Sequence, residues 1–175
     1  MIWTRGGEPS NGKHYSSEAD FCRLFEREMN RLYLLALMLT GDEARAEQCF
    51  GRSLDTCLTS GRISPEWAPR WATHNIVKNA IEMVGPARDR ESTRDDVLRP
   101  LGSRQATLAA VLGSMASLDR FVYVMTVLER YSDRECASYL GCSVIEISPA
   151  RERAAKAVAS FAEEHVPQCA LRASA

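Results

Sequence analysis

Apolar residues recur along this chain at three- and four-residue steps, and no stretch shows the alternation of a strand. Phe21, Phe25, Met29, Leu32, Ala36 and Leu39 mark one face of a long helix that begins near Ser17 or Asp20 and runs to about Leu39. Thr40-Gly41-Asp42 closes it with a glycine stop and supplies an aspartate cap for the next element. Ala46, Cys49, Phe50, Ser53, Leu54 and Cys57 share one side of a second helix, which Gly61 breaks. Ser64-Pro65 opens a third helix, serine as cap and proline at the first helical position, with Pro69 as a later alternative start. Gly85-Pro86 ends it. The segment 86–104 carries five arginines, four acids and few apolar residues, the pattern of a solvated linker. Further helices are expected near 105–116, 119–130, 132–140 and 144–164. The predicted architecture is all-α: two small helical domains, 18–85 and 105–165, joined by the charged linker. A polar leader (1–17) and a tail (166–175) flank them.

The most specific local signal is SDRECASYLGCS. Ser132 with Glu135 forms a capping-box pattern at the start of one helix, and Ser143 with Glu146 repeats it at the start of the next. Gly141 between them permits the left-handed backbone of a tight turn. Cys136, Ala137 and Leu140 supply an inward face, with Ala137 small enough for a close helix crossing. This is the spacing of a helix-turn-helix, a unit that places its second helix in the DNA major groove.

Charge adds little to that reading. The net charge is –1, and 132–160 contains four basic and four acidic residues, so composition alone does not advertise nucleic-acid binding. None of the six cysteines forms a C-x-x-C pair, and most fall on apolar helix faces, which predicts buried reduced thiols rather than a metal or redox site. His14, His74 and His165 are scattered. No nucleophile–base pair, phosphate loop or paired catalytic acids stand out, so neither an enzyme nor a cofactor is expected. The N-terminus lacks the apolar run of a signal peptide, and Leu32–Leu39 and Phe121–Leu128 are too short to span a bilayer. A cytoplasmic protein without membrane insertion is expected.

With these residues in view, Leu118–Val158 resembles region 4 of the sigma-70 family of bacterial RNA polymerase sigma factors, in its extracytoplasmic-function branch. Arg120, Val122, Tyr123, Val124, Met125, Leu128, Glu129, Ser132, Glu135, Ala137, Leu140, Ser143, Ile147, Arg153, Ala154 and Lys156 fall on that pattern without a gap. Leu24-Phe25, Tyr33, Leu39, Gly41-Asp42, Ala46-Glu47, Phe50, Leu54 and Trp71 through Asn79 are similar to region 2. The resemblance implies a monomeric factor that binds core RNA polymerase and directs it to promoter DNA, under the control of an anti-sigma partner. It implies –35 contacts through Ser132, Ser143, Glu146, Ser148, Arg151, Arg153 and Lys156. It further implies –10 contacts through Trp71, Asn75, Lys78 and Asn79, and polymerase contacts through Glu47, Gln48, Phe50 and Arg52. Trp67 and Trp71, four apart, are also expected to bury against the first helix.

The chain departs from the family at particular positions. Arg45, Gln48, Gly51 and Arg52 stand where acidic and glutamine residues contact the polymerase clamp. Ile81 through Gly85 replaces a basic run, and Pro149 and Ala150 replace serine and arginine in the recognition helix. A proline there predicts a kinked or late-starting helix. These departures support an alternative: a sigma-like interaction module that keeps the fold and binds polymerase or a regulatory protein without reading promoters.

Overall fold

A computed structural model of the chain describes residues 15–85 and 108–170, with the side chains of 164–170 left out. The predicted leader up to residue 14 and the predicted linker at 86–104 lie outside the described residues. Those described are all-helical, in eight α-helices and one π-helical turn, without a strand. Helices α1 (Glu18–Arg27), α2 (Met29–Thr40), α3 (Glu43–Thr59) and α4 (Ala68–Val84) form the N-terminal bundle. Helices α5 (Leu108–Gly113), α6 (Ser117–Tyr123), the π turn (Val124–Leu128), α7 (Asp133–Leu140) and α8 (Val144–Ala170) form the C-terminal half. Among the described residues no helix is long and apolar enough to cross a membrane.

Local chemistry explains most of the boundaries. Ser17 caps α1 and exchanges hydrogen bonds with Asp20 in a complete capping box. Gly41, Gly85 and Gly141 end α2, α4 and α7 in the left-handed conformation. Asp42 caps α3 by accepting from the Arg45 N–H at 2.8 Å. Helix α4 starts at Ala68 with Pro69 inside its first turn, the later of the two starts that the prolines permit.

The long first helix is in fact two. The backbone turns at Glu28 (φ –98°, ψ 10°), where Glu28 pairs with Arg27 and Arg31. Phe21, Leu24 and Phe25 stay buried on one side of the turn, and Leu32, Leu35, Ala36 and Leu39 on the other. Met29, placed by its spacing on the inner face, is swung out and 54% exposed. Helix α8 is also longer than expected, running past 165 to Ala170.

One apolar cluster runs through both halves. It joins Leu32, Leu39, Ile76 and Val77 of the bundle to Leu112, Phe121, Val122, Met125, Leu140, Ile147 and Ala150. Each such Leu, Ile or Phe side chain, fully withdrawn from water, contributes on the order of 2 kcal/mol. Arg120 is buried with them. Its guanidinium donates to the carbonyls of Leu39 (3.0 Å), Thr40 (3.4 Å) and Gly113 (3.2 Å). It thereby satisfies the last carbonyls of α2, where the helix dipole also favours a cation. In this arrangement the two halves pack on one another rather than standing apart.

Candidate nucleic-acid interface

The helix-turn-helix is built by α7, the Gly141 turn and α8. Ser132 and Glu135 form a complete box: the Ser132 N–H donates to the Glu135 carboxylate at 2.9 Å, and the Glu135 N–H donates to Ser132 Oγ at 3.3 Å. These bonds hold the Glu135 carboxyl below its ordinary range. The second pair is also joined. The Ser143 N–H donates to Glu146 at 2.8 Å, while Ser143 Oγ accepts from Ile145 at 3.4 Å. Helix α8 then continues unbroken through Pro149, so the recognition helix starts at Val144 and not late.

The inner face of α8 is Ile147, Ala150 and Ala154, all essentially buried. Ala150 therefore sits at a packing position, where an arginine would have to displace its buried neighbours. That outer face carries Ile145 (84% exposed), Ser148, Pro149, Glu152 and Lys156. Both arginines turn back to the protein. Arg151 makes two hydrogen bonds to Asp133 on α7, the shorter 2.5 Å. Arg153 clasps the nearly buried Asp119 of α6 at 2.6 and 2.9 Å. In each case the carboxylate hydrogen bond raises the guanidinium's pKa further. Of the expected contacts, Ser132, Ser143, Ser148 and Lys156 are exposed, Glu146 is half-buried, and of the two arginines paired to carboxylates Arg151 is half-buried while Arg153 stays exposed.

On α4 the expected base-reading residues face inward. Trp71, Asn75 and Asn79 recur every four residues and so share the side that packs on α3. Asn75 is 2% exposed, with its amide donating to the Trp71 carbonyl (2.9 Å) and to Cys57 Sγ (3.6 Å). Asn79 donates to Ser53 Oγ and the Asn75 carbonyl, both at 3.0 Å. Trp71 is half-buried and donates to Ser60 Oγ at 2.9 Å. Only Lys78 projects, opposite Glu82 at 3.9 Å. Trp67 does not bury against the first helix: it is 58% exposed, with Arg70 over its ring at 5.8 Å. On α3, Glu47, Gln48 and Arg52 are exposed, while Phe50 is half-buried with its ring edge-on to Phe25 and Tyr33.

His74 and Tyr139 are functional candidates that the sequence reading passed over. The Tyr139 hydroxyl and His74 Nδ1 share a 2.8 Å hydrogen bond from α7 to α4. The His74 ring stacks on Trp71, with centroids 5.2 Å apart. Burial first, and then Lys78 one turn on, lower the His74 pKa. Helix α4, which carries the expected –10 residues, is thus in direct contact with α7, the first helix of the helix-turn-helix. No spacing links residues 65 apart, so no sequence signal could have joined them.

Cys49, Cys57 and Cys136 are buried thiols, pushed up by desolvation to about 11, about 11 and about 12. Cys22 is exposed and Cys142 half-buried. Among the described residues no group of three or more His, Cys, Asp or Glu side chains is placed to hold a metal ion. Neither a protein-family profile nor a curated protein sequence matches the chain.

Proposed function

We propose that this chain is a sigma-like transcription initiation factor that binds bacterial core RNA polymerase and delivers it to promoter DNA through α7 and α8. The observation that carries the proposal is the helix-turn-helix itself, a capped α7, a left-handed Gly141 and a long α8. It follows a four-helix unit in the order that the sigma-70 resemblance implies. Glu47, Gln48 and Arg52 on the exposed side of α3 would meet polymerase. Ser132, Ser148 and Lys156 would meet the –35 element, joined by Arg151 and Arg153 when these leave their acidic partners.

In this reading the packed arrangement is a resting form. The –10 and –35 elements lie about two turns of duplex apart, roughly 70 Å. Helices α4 and α7, joined through His74 and Tyr139, could not reach both. Polymerase would bind the two halves separately and so draw the chain open. The test is run-off transcription with the purified chain and bacterial core polymerase on a genomic promoter library. Promoter-dependent transcripts support the proposal, and their absence together with no polymerase complex removes it.

One observation favours a second reading. Arg151 and Arg153 are tied to Asp133 and Asp119, and the outer face of α8 is led by Ile145 and Pro149. Such a face suits a protein partner, such as an anti-sigma protein or polymerase itself, better than a phosphate backbone. A polymerase complex that forms without any salt-dependent promoter binding would select the interaction module over the promoter reader.

A further inference from the structure

A half-open cleft of about 360 Å³ lies where the two halves meet. Three guanidinium-bearing side chains line it from three places: Arg31 on α2, Arg70 on α4, and Arg130 in the segment between the π turn and α7. Two carboxylates line it too, and both are engaged by the fold. Glu129 pairs with Arg31 at 3.6 Å, and Arg31 also donates to Thr73 Oγ1 at 2.9 Å. Glu135 accepts from the N–H and hydroxyl of Ser132 at 2.9 and 2.7 Å. The remaining two cations are differently placed. Among the described residues neither Arg70 nor Arg130 makes an ion pair or a hydrogen bond; both are exposed, and Arg70 lies over the Trp67 ring and close enough to Glu135 to help hold its carboxyl below the ordinary range.

Arg130 adopts φ +59°, a left-handed backbone that side chains other than glycine, asparagine and aspartate rarely occupy. Glycine would make the same turn without strain. The arginine adds a second guanidinium-bearing side chain to the cleft lining, beside that of Arg70. Each guanidinium presents a planar fork of donors that matches one phosphoryl or carboxylate group. Two such side chains lining a cleft of this size match a compact anion with two such groups.

We propose that this cleft binds a small anion of the diphosphate class, held by Arg70 from one half and Arg130 from the other. Because its walls come from both halves, the anion favours the packed arrangement and opposes opening. The inference rests on the cleft and stands independently of the transcriptional role.

The test is calorimetric titration of the full chain with sodium pyrophosphate at low ionic strength, beside melting curves. Saturable binding and a raised melting temperature are expected. Arg70→Gln and Arg130→Gly should each weaken binding about tenfold, the effect of losing one charge-assisted contact. Arg130→Gly relieves the backbone, so without ligand it should melt no lower than the parent, which separates lost binding from lost folding. Arg23→Gln, on exposed α1, should bind like the parent. Unsaturable binding would overturn the proposal. So would either cleft variant binding like the parent, or Arg23→Gln weakening binding as much as they do.

Discussion

A methyl group on Gly41 would stand 2.6 Å from Nη1 of Arg120. The glycine that ends α2 is therefore a landing place for an arginine from the other half of the chain as well as a helix stop. Gly141 provides the comparison. It has a similar left-handed backbone (φ 63° against 72°), but nothing lies within 4 Å of where its methyl would be. Gly141→Ala should cost about 1 kcal/mol, the backbone penalty alone. Gly41→Ala should cost that and about 1–2 kcal/mol more, because the Arg120 contacts must shift. Urea unfolding of both variants reads the difference, and equal costs would mean that Arg120 yields freely.

Arg120→Met should destabilise the packed arrangement by about 2–3 kcal/mol. The substitution keeps the apolar bulk but leaves the carbonyls of Leu39, Thr40 and Gly113 without their donor. Small-angle scattering should show a larger radius of gyration for this variant. An unchanged radius together with unchanged stability would contradict a role for Arg120 as the latch between the halves.

The burial of His74 should make stability depend on pH. Burial lowers the His74 pKa in the folded chain below its ordinary value of 6.5. Between those two values the unfolded chain binds the extra proton, so stability is fully present above about 6.5 and falls as pH drops through the folded pKa. Its slope there can reach about 1.4 kcal/mol per pH unit, one proton's worth. His74→Gln should flatten that part of a stability–pH curve recorded from pH 7.5 to 5. A variant curve parallel to the parent's would assign the slope to other groups.

Freeing the arginines of α8 should reveal whether the helix can meet DNA. Asp119→Asn with Asp133→Asn removes both carboxylate partners while keeping their shape. Promoter-duplex affinity should rise, and its logarithmic salt dependence should steepen by about 2, one unit for each phosphate newly met. Fluorescence anisotropy across a salt series measures both. No change in slope would favour the interaction module.

Pro149 interrupts the hydrogen bonding of α8 without interrupting the helix. Pro149→Ala should stabilise the chain, by up to about 3 kcal/mol if the interior-helix penalty applies in full. The donor-less position faces solvent, and Ile145, whose carbonyl lacks its partner, is 84% exposed, so water softens the penalty. A lowered melting temperature would show that the proline's own packing outweighs the lost bond.

What could be read from the sequence was what local chemistry decides. Gly41, Gly85 and Gly141 stop helices where their residue type predicts, and the Ser132–Glu135 box closes as its spacing predicts. The turn at Glu28 escaped because the backbone bonds from Glu28 to Leu24 and from Leu32 to Glu28 persist through it, and the apolar spacing never breaks. Asn75 and Asn79 looked like exposed readers because a polar residue on a helix carries no sign of which way it faces; Ser53 and Cys57 on α3 decide that. The Arg120 latch and the arginine cleft join residues far apart in sequence. Such contacts leave no periodic trace, although an arginine directly before the apolar run Phe121–Leu128 is a residue that needs polar partners when it is buried.

The proposed sigma-like role requires the chain to open when it meets core RNA polymerase. Its most direct measurement is the equilibrium affinity of fluorescently labelled chain for purified bacterial core polymerase, with Arg120→Met run in parallel. Saturable binding is predicted, tighter for Arg120→Met because less of that variant must be drawn out of the packed form. Absence of binding by both proteins would contradict the account.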